Sequence, residues 1–346
     1  MIVELAGLVR WEWFKLRYRW MPWILLAVLV LVTQLFIWGA FFAFGDTQEA
    51  RDIIYESTAL DGAAVGFDCN DVLAGNIPDG AGVPSADEEM GRRMLEDCRE
   101  RKAAQQEELG DLYSLITPPG SAGFAVGAGQ TIGLILVAIL TASVIGSEHG
   151  WGTVRPVLVR GVRRWYMLAS RLAMVAIAFA AALVVIGVLG LVSGLAAGAL
   201  ASGTEGLENV YSWGDGLEVY GKAWFSVLPY GALVALAAVA TRSSAAGIGV
   251  GLGYYFLEQT AVAILLSLFD WFQGVADYLL VYNIGAFMGG GAEDEGGNGG
   301  ITFGVVGGDP PGELHTALVI AAYLLVLGGL AFYLFQRRDI PGASRS

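Results

Sequence analysis

Residues 21–44 contain no charged side chain, and neither do 121–145, 172–200 or 224–240. Two further runs, 245–269 and 315–335, hold a single carboxylate between them, Glu258. About 20 apolar residues in a helix cross the hydrocarbon core of a bilayer, which is about 30 Å thick. The expected fold is therefore an all-α polytopic membrane protein with six transmembrane helices. Composition agrees, with 55% of the 346 residues hydrophobic and 15% charged; a soluble domain carries about 25% charge.

The segments between these runs differ in character. Residues 1–20 mix Leu5, Leu8, Trp11, Phe14 and Leu16 with Arg10, Lys15, Arg17 and Arg19. That pattern suits an amphipathic interfacial helix, with tryptophans at headgroup depth. A cleaved signal peptide fits less well, because the charged part is long and 21–44 suffices to span the membrane. Residues 45–120 form a polar insert. Within it, Ser85 and Glu88 after Pro84 read as a capping box, so a helix is expected to follow to about Leu115, with Met90, Met94, Leu95 and Cys98 on its inner face. Pro118, Pro119 and Gly120 end it before the second span. A short polar loop through Glu218 precedes the fourth span, and a tight turn at 241–244 separates the fourth from the fifth. An outer loop, 270–314, combines aromatic residues such as Trp271, Phe272, Tyr278, Tyr282 and Phe287 with a glycine-rich acidic stretch. Gly190, Gly194 and Gly198 are four apart, as are Gly247 and Gly251, and Gly249 and Gly253. Small residues at that interval let helices approach closely.

Charge orients the chain. Thirteen of the twenty Lys and Arg residues fall on one side of a six-span arrangement: Arg10, Lys15, Arg17 and Arg19; Arg155, Arg160, Arg163, Arg164 and Arg171; Arg242; and Arg337, Arg338 and Arg345. The positive-inside rule makes that side cytoplasmic. Both termini, including the tail 341–346, are then cytoplasmic in a multi-pass protein of the cell membrane. The formal net charge of −13 resides largely in the outer insert. Cys69 and Cys98 lie together there, in an oxidising compartment. A disulfide between them would stabilise the insert by about 3–4 kcal/mol; two thiols packed in a small core are the other reading.

The stretch with the most information joins the second and third spans, over 147–171. It carries Glu148, Gly152, Thr153, Arg155, Leu158, Arg160 and Arg164, with Arg171 where the next helix begins. This order of a glutamate, Gly-Thr, an arginine, an apolar residue and a basic turn resembles the permease subunits of ABC-2 type transporters. The basic amphipathic N-terminus, the six spans and a tail with Phe335, Arg337, Arg338 and Asp339 resemble them too. Gly161 stands where that family commonly has proline, and Arg171 where it has lysine. The resemblance implies an exporter subunit that pairs with a second permease copy or a homologue, and that docks on separate ABC ATPase subunits through Glu148, Gly152, Thr153, Arg155, Arg160 and Arg164. ATP and Mg would then be used by the ATPase, with no cofactor bound by this chain. It further implies short outer helices within 270–288 that dip back toward the membrane.

The residues support docking on their own terms, since arginine makes bidentate contacts with carboxylates and Thr153 suits a helix cap. A solvated basic loop that merely obeys the positive-inside rule is the plainer reading. Glu258 likewise has two: a group lining the substrate path, with Tyr254 and Tyr255 beside it, or a carboxyl paired with tyrosine or backbone between helices.

Several classes are disfavoured. There is no Gly-x-x-x-x-Gly-Lys-Ser/Thr phosphate loop, no Gly-x-Ser-x-Gly elbow and no His-Glu-x-x-His motif. His149 and His315 belong to opposite sides, and neither has a metal-ligand partner at the usual spacing. Basic residues and aromatics do not interleave as nucleic-acid binding requires. The chain is thus not expected to be an enzyme by itself. Two alternatives remain: a sensor or scaffold that binds a ligand through its insert, and an intramembrane enzyme using Glu258, for which no second catalytic group is evident.

Overall fold

In the computed structural model, the structure describes residues 2–44, 96, 99–100, 103, 110, 113–151, 164–201, 211–289 and 310–337. Among them every regular element is helical. Helix α1 (Ile2–Arg17) leads into α2 (Trp20–Phe44), followed by α3 (Gly120–Trp151), α4 (Arg164–Leu200), α5 (Trp213–Thr241) and α6 (Ser244–Leu268). A 3-10 turn (Asp270–Phe272) and two short helices, α7 (Gln273–Ala276) and α8 (Leu280–Gly289), precede α9 (Glu313–Arg337). Six helices, α2, α3, α4, α5, α6 and α9, are long and apolar enough to cross a membrane. The protein is a multi-pass membrane protein.

Helices α3 and α5 form the centre and are the most buried; α2, α4, α6 and α9 surround them. Their outer faces carry exposed apolar residues such as Leu31, Val188, Leu257 and Leu325. Helices that are apolar on their outer faces as well suit a membrane span.

Successive spans alternate in direction, as cross-contacts show. From α4, Gly190 meets Ala125 of α3 and Gly198 meets Thr117 just before α3. Between α4 and α5, the Tyr220 hydroxyl donates to Ala180 O at 2.9 Å and the Trp224 indole N–H to Ala176 O at 3.0 Å. Helices α3 and α5 run parallel, joined by Gln130 Nε2 donating to Ser226 Oγ at 2.9 Å. One end of the bundle therefore gathers the start of α2, the end of α3, the start of α4, the α5–α6 turn and the end of α9. With α1 and the residues Arg10, Lys15, Arg17, Arg19, Arg242 and Arg337, it is the basic end.

Several boundaries differ from the sequence expectation; α3, for one, runs on to Trp151 past the expected end at about Ile145. Residues 213–218, the end of the polar loop expected through Glu218, are instead the first turn and a half of α5. Ser212 caps it: its hydroxyl accepts from the Asp215 N–H at 3.3 Å, while Asp215 accepts from the Ser212 N–H at 2.7 Å. This reciprocal pair satisfies two helix-end donors and carries α5 about 16 Å beyond the apolar run, at 1.5 Å per residue. The third span was expected from Leu172, yet α4 begins at Arg164. Arg171 is consequently inside the helix and fully buried.

At the basic end, α5 stops at Arg242, whose φ of 57° is left-handed, and Ser243 caps α6 by accepting from the Ala246 N–H at 3.3 Å. Cys69, Cys98 and nearly all of the insert 45–120 lie outside the described residues, and no disulfide occurs among the described residues.

Candidate functional site

Glu258 projects from α6 into a polar cluster at the end of the bundle opposite the basic one. It is 6% exposed. Its Oε1 accepts from the Tyr282 N–H at 2.8 Å. The preceding N–H groups of α8, from Val281 and Leu280, face Glu258 and Tyr254 respectively. Glu258 and Tyr254 are one helical turn apart, so they share a face of α6, and together they meet the first N–H groups of α8. An anionic group at a helix N-terminus is favoured both by the unpaired donors there and by the helix dipole. The Tyr254 hydroxyl also faces the carboxyl, but outside full hydrogen-bond geometry, so Glu258 Oε2 has no such partner. The carboxyl is thus paired with backbone of a neighbouring helix.

The loop between α7 and α8 is held by side chains from three directions. Asn283 Nδ2 donates to Asp277 O at 2.8 Å and to Leu279 O at 2.7 Å. His315 Nε2 lies 2.9 Å from Asp277 O, and the Tyr323 hydroxyl donates to Tyr278 O at 3.0 Å. Gln273 Nε2 bonds Asp277 Oδ1 at 2.8 Å and the Tyr282 hydroxyl at 3.1 Å. The carbonyl groups of this loop are thus satisfied by protein side chains. Nearby, Lys222 bridges Glu218 at 2.6 Å and Glu313 at 3.0 Å, and its ammonium lies 5.7 Å from the Phe287 ring centroid. Tyr255, by contrast, is packed in the core with its ring edge-on to Phe256.

At the basic end, the backbone of Glu148 belongs to the last turn of α3 and that of Arg164 to the first turn of α4. Gly152, Thr153, Arg155 and Arg160 lie outside the described residues. The structure adds a residue that reading the sequence placed at the boundary: Arg171, on α4, lies within electrostatic reach of Glu12 on α1. Glu12 also pairs with Lys15 at 3.1 Å. Thus α1 packs on α4 and brings Glu12 toward the buried Arg171. No spacing in the sequence signals this, because 159 residues separate the two.

Cavities open between the helices, and two of them are lined by described residues. One, of about 520 Å³, lies among α3, α4, α5 and α9, with Thr141, Phe179, Trp224, Gly231 and Gly328 on its walls. The other, of about 480 Å³, lies among α1, α2, α3 and α4. Val137 and Phe179 line both, and neither includes Glu258, Tyr254 or Tyr255. Among the described residues no group of three His, Cys, Asp or Glu side chains is placed to hold a metal ion.

A family model described as a protein of unknown function (DUF2705) matches residues 120–341, from the first residue of α3 past the last of α9. No curated protein and no solved structure matches the chain.

Proposed function

The chain belongs to the DUF2705 family, and we propose that it is the membrane-spanning permease subunit of an ATP-driven exporter of the ABC-2 type. The observation that carries this reading is the segment 147–171. It bears Glu148, Gly152, Thr153, Arg155, Arg160 and Arg164 in ABC-2 order and connects two spans at the basic end. By the positive-inside rule that end is cytoplasmic, which is where an ATPase would dock. The burial of Arg171 near Glu12 supports the reading: α1 and the helix that follows the docking segment form one unit, able to take a push together. A second copy, or a homologous permease, completes the transmembrane core, and two ATPase subunits supply the phosphate loop that this sequence lacks.

Purification of the tagged chain from its native membrane in mild detergent is the test. A stoichiometric P-loop ATPase that hydrolyses ATP in the complex is the expected companion. Recovery of the chain alone, under conditions that preserve other membrane complexes, would favour the sensor or scaffold. Within the complex, Arg155→Ala should weaken ATPase binding about tenfold or more, the usual loss on removing an arginine from the heart of an interface. Its folding should match the parent. An unchanged complex in both Arg155→Ala and Glu148→Gln would remove the docking role from this segment.

A further inference from the structure

The cavity beside α1 has the shape and charge of a lipid site. Its mouth is formed by Trp13 and Arg17 of α1 with Pro22 and Trp23 of α2. Behind the mouth the walls are apolar: Leu25, Leu26 and Leu29 of α2 face α3 and the alanine-lined side of α4. Residues 20–29 of α2 advance about 13 Å at 1.5 Å per residue, which is close to one leaflet, half of the roughly 30 Å hydrocarbon core. The slot thus starts at the basic end and reaches to about the middle of the membrane. Its volume of about 480 Å³ falls within the usual range for small-molecule sites.

Charge identifies the occupant. Arg17 is the only charged residue among the described residues on the walls; it is exposed, and no carboxylate among the described residues pairs with it. The Trp23 indole N–H donates to Arg17 O at 2.9 Å, which ties the end of α1 to the start of α2 at the mouth. Trp13 and Trp23 are both exposed, as tryptophans are at headgroup depth. A guanidinium matches the geometry of a phosphate and holds it bidentately.

We infer that this cleft binds an anionic phospholipid of the leaflet at the basic end, with its phosphate at Arg17 and one acyl chain between α2, α3 and α4. The site requires only that the six spans lie in a bilayer and is independent of the exporter reading.

The test is native mass spectrometry of the full chain released from nanodiscs that contain equal phosphatidylglycerol and phosphatidylcholine. The parent should retain one phosphatidylglycerol per chain in preference to phosphatidylcholine. Arg17→Gln, a change at an exposed position, should lower that preference about fivefold, the worth of one cation near a membrane surface. Ala181→Trp, at an exposed position of the slot wall, should fill the slot and remove the retained lipid whatever its headgroup. Gly249→Trp, where a side chain would meet open space on α6, should leave retention as in the parent. Equal retention of both lipids by the parent, an unchanged preference in Arg17→Gln, or full retention in Ala181→Trp would each overturn the assignment.

Discussion

Replacing Glu258 by leucine should loosen the short-helix segment 270–289 and lower the stability of the protein by about 2–4 kcal/mol. Leucine fills similar space but accepts no hydrogen bond. The Tyr282 N–H, now bonded at 2.8 Å, and the Val281 N–H beside it would be left in a dry environment, where each unpaired donor costs about 1–3 kcal/mol. Glu258→Gln separates this role from one that depends on charge. Its amide oxygen still accepts from Tyr282, so stability should fall by no more than about 1 kcal/mol, the ordinary worth of one hydrogen bond. Thermal unfolding in detergent and proteolysis within 270–289 measure both variants. Equal stability of Glu258→Leu and the parent would show that the carboxyl does not hold α8. Loss of transport in Glu258→Gln with stability kept would assign the charge a separate task in the substrate path.

Replacing Gly190 by valine should cost about 2–3 kcal/mol, typical of overpacking where neighbours cannot yield. A Cβ at Gly190 would stand 2.7 Å from Ala125 Cβ, 2.8 Å from Ser121 O and 3.2 Å from Ala122 Cα. Two of those atoms are backbone, so α3 and α4 would have to separate. Gly253→Val is the matched control, since nothing lies within 4 Å of a Cβ there; it should unfold within about 0.5 kcal/mol of the parent, as surface changes usually do. Thermal unfolding followed by size-exclusion chromatography compares the two. Equal midpoints would mean that the α3–α4 approach is not a source of stability.

The glycines also show where the sequence was legible. Gly190, Gly194, Gly247 and Gly251 sit where helices touch, and Gly198 meets Thr117 just before α3, as their spacing suggests. Gly249 and Gly253 have the same spacing but face outward; periodicity identifies a face without saying which partner it meets. The six spans were readable because bilayer thickness sets a length that composition reveals. The start of α5 was not, because Trp213, two glycines and two acids between 213 and 218 dilute the apolar signal. Its Ser212–Asp215 capping pair was the available clue. Arg171 was placed at a membrane boundary because charge normally belongs there, while its acidic neighbour Glu12 is supplied by tertiary structure. Glu258 was flagged from its depth alone; its backbone partner, 24 residues on, lay beyond any local pattern. The residues that carry the docking segment's chemistry were read only from the sequence, since Gly152, Thr153, Arg155 and Arg160 lie outside the described residues.

The loop between α7 and α8 has a mechanical consequence. Glu258 and Tyr254 grip α8 from α6, while His315 and Tyr323 grip Asp277 and Tyr278 from α9. The two spans are thereby geared to each other through a few residues of backbone. Bonds of 2.8–3.0 Å weaken steeply past about 3.5 Å. A slide of α9 along α6 by more than about 1 Å must therefore either drag this loop with it or strip one of its two sets of anchors.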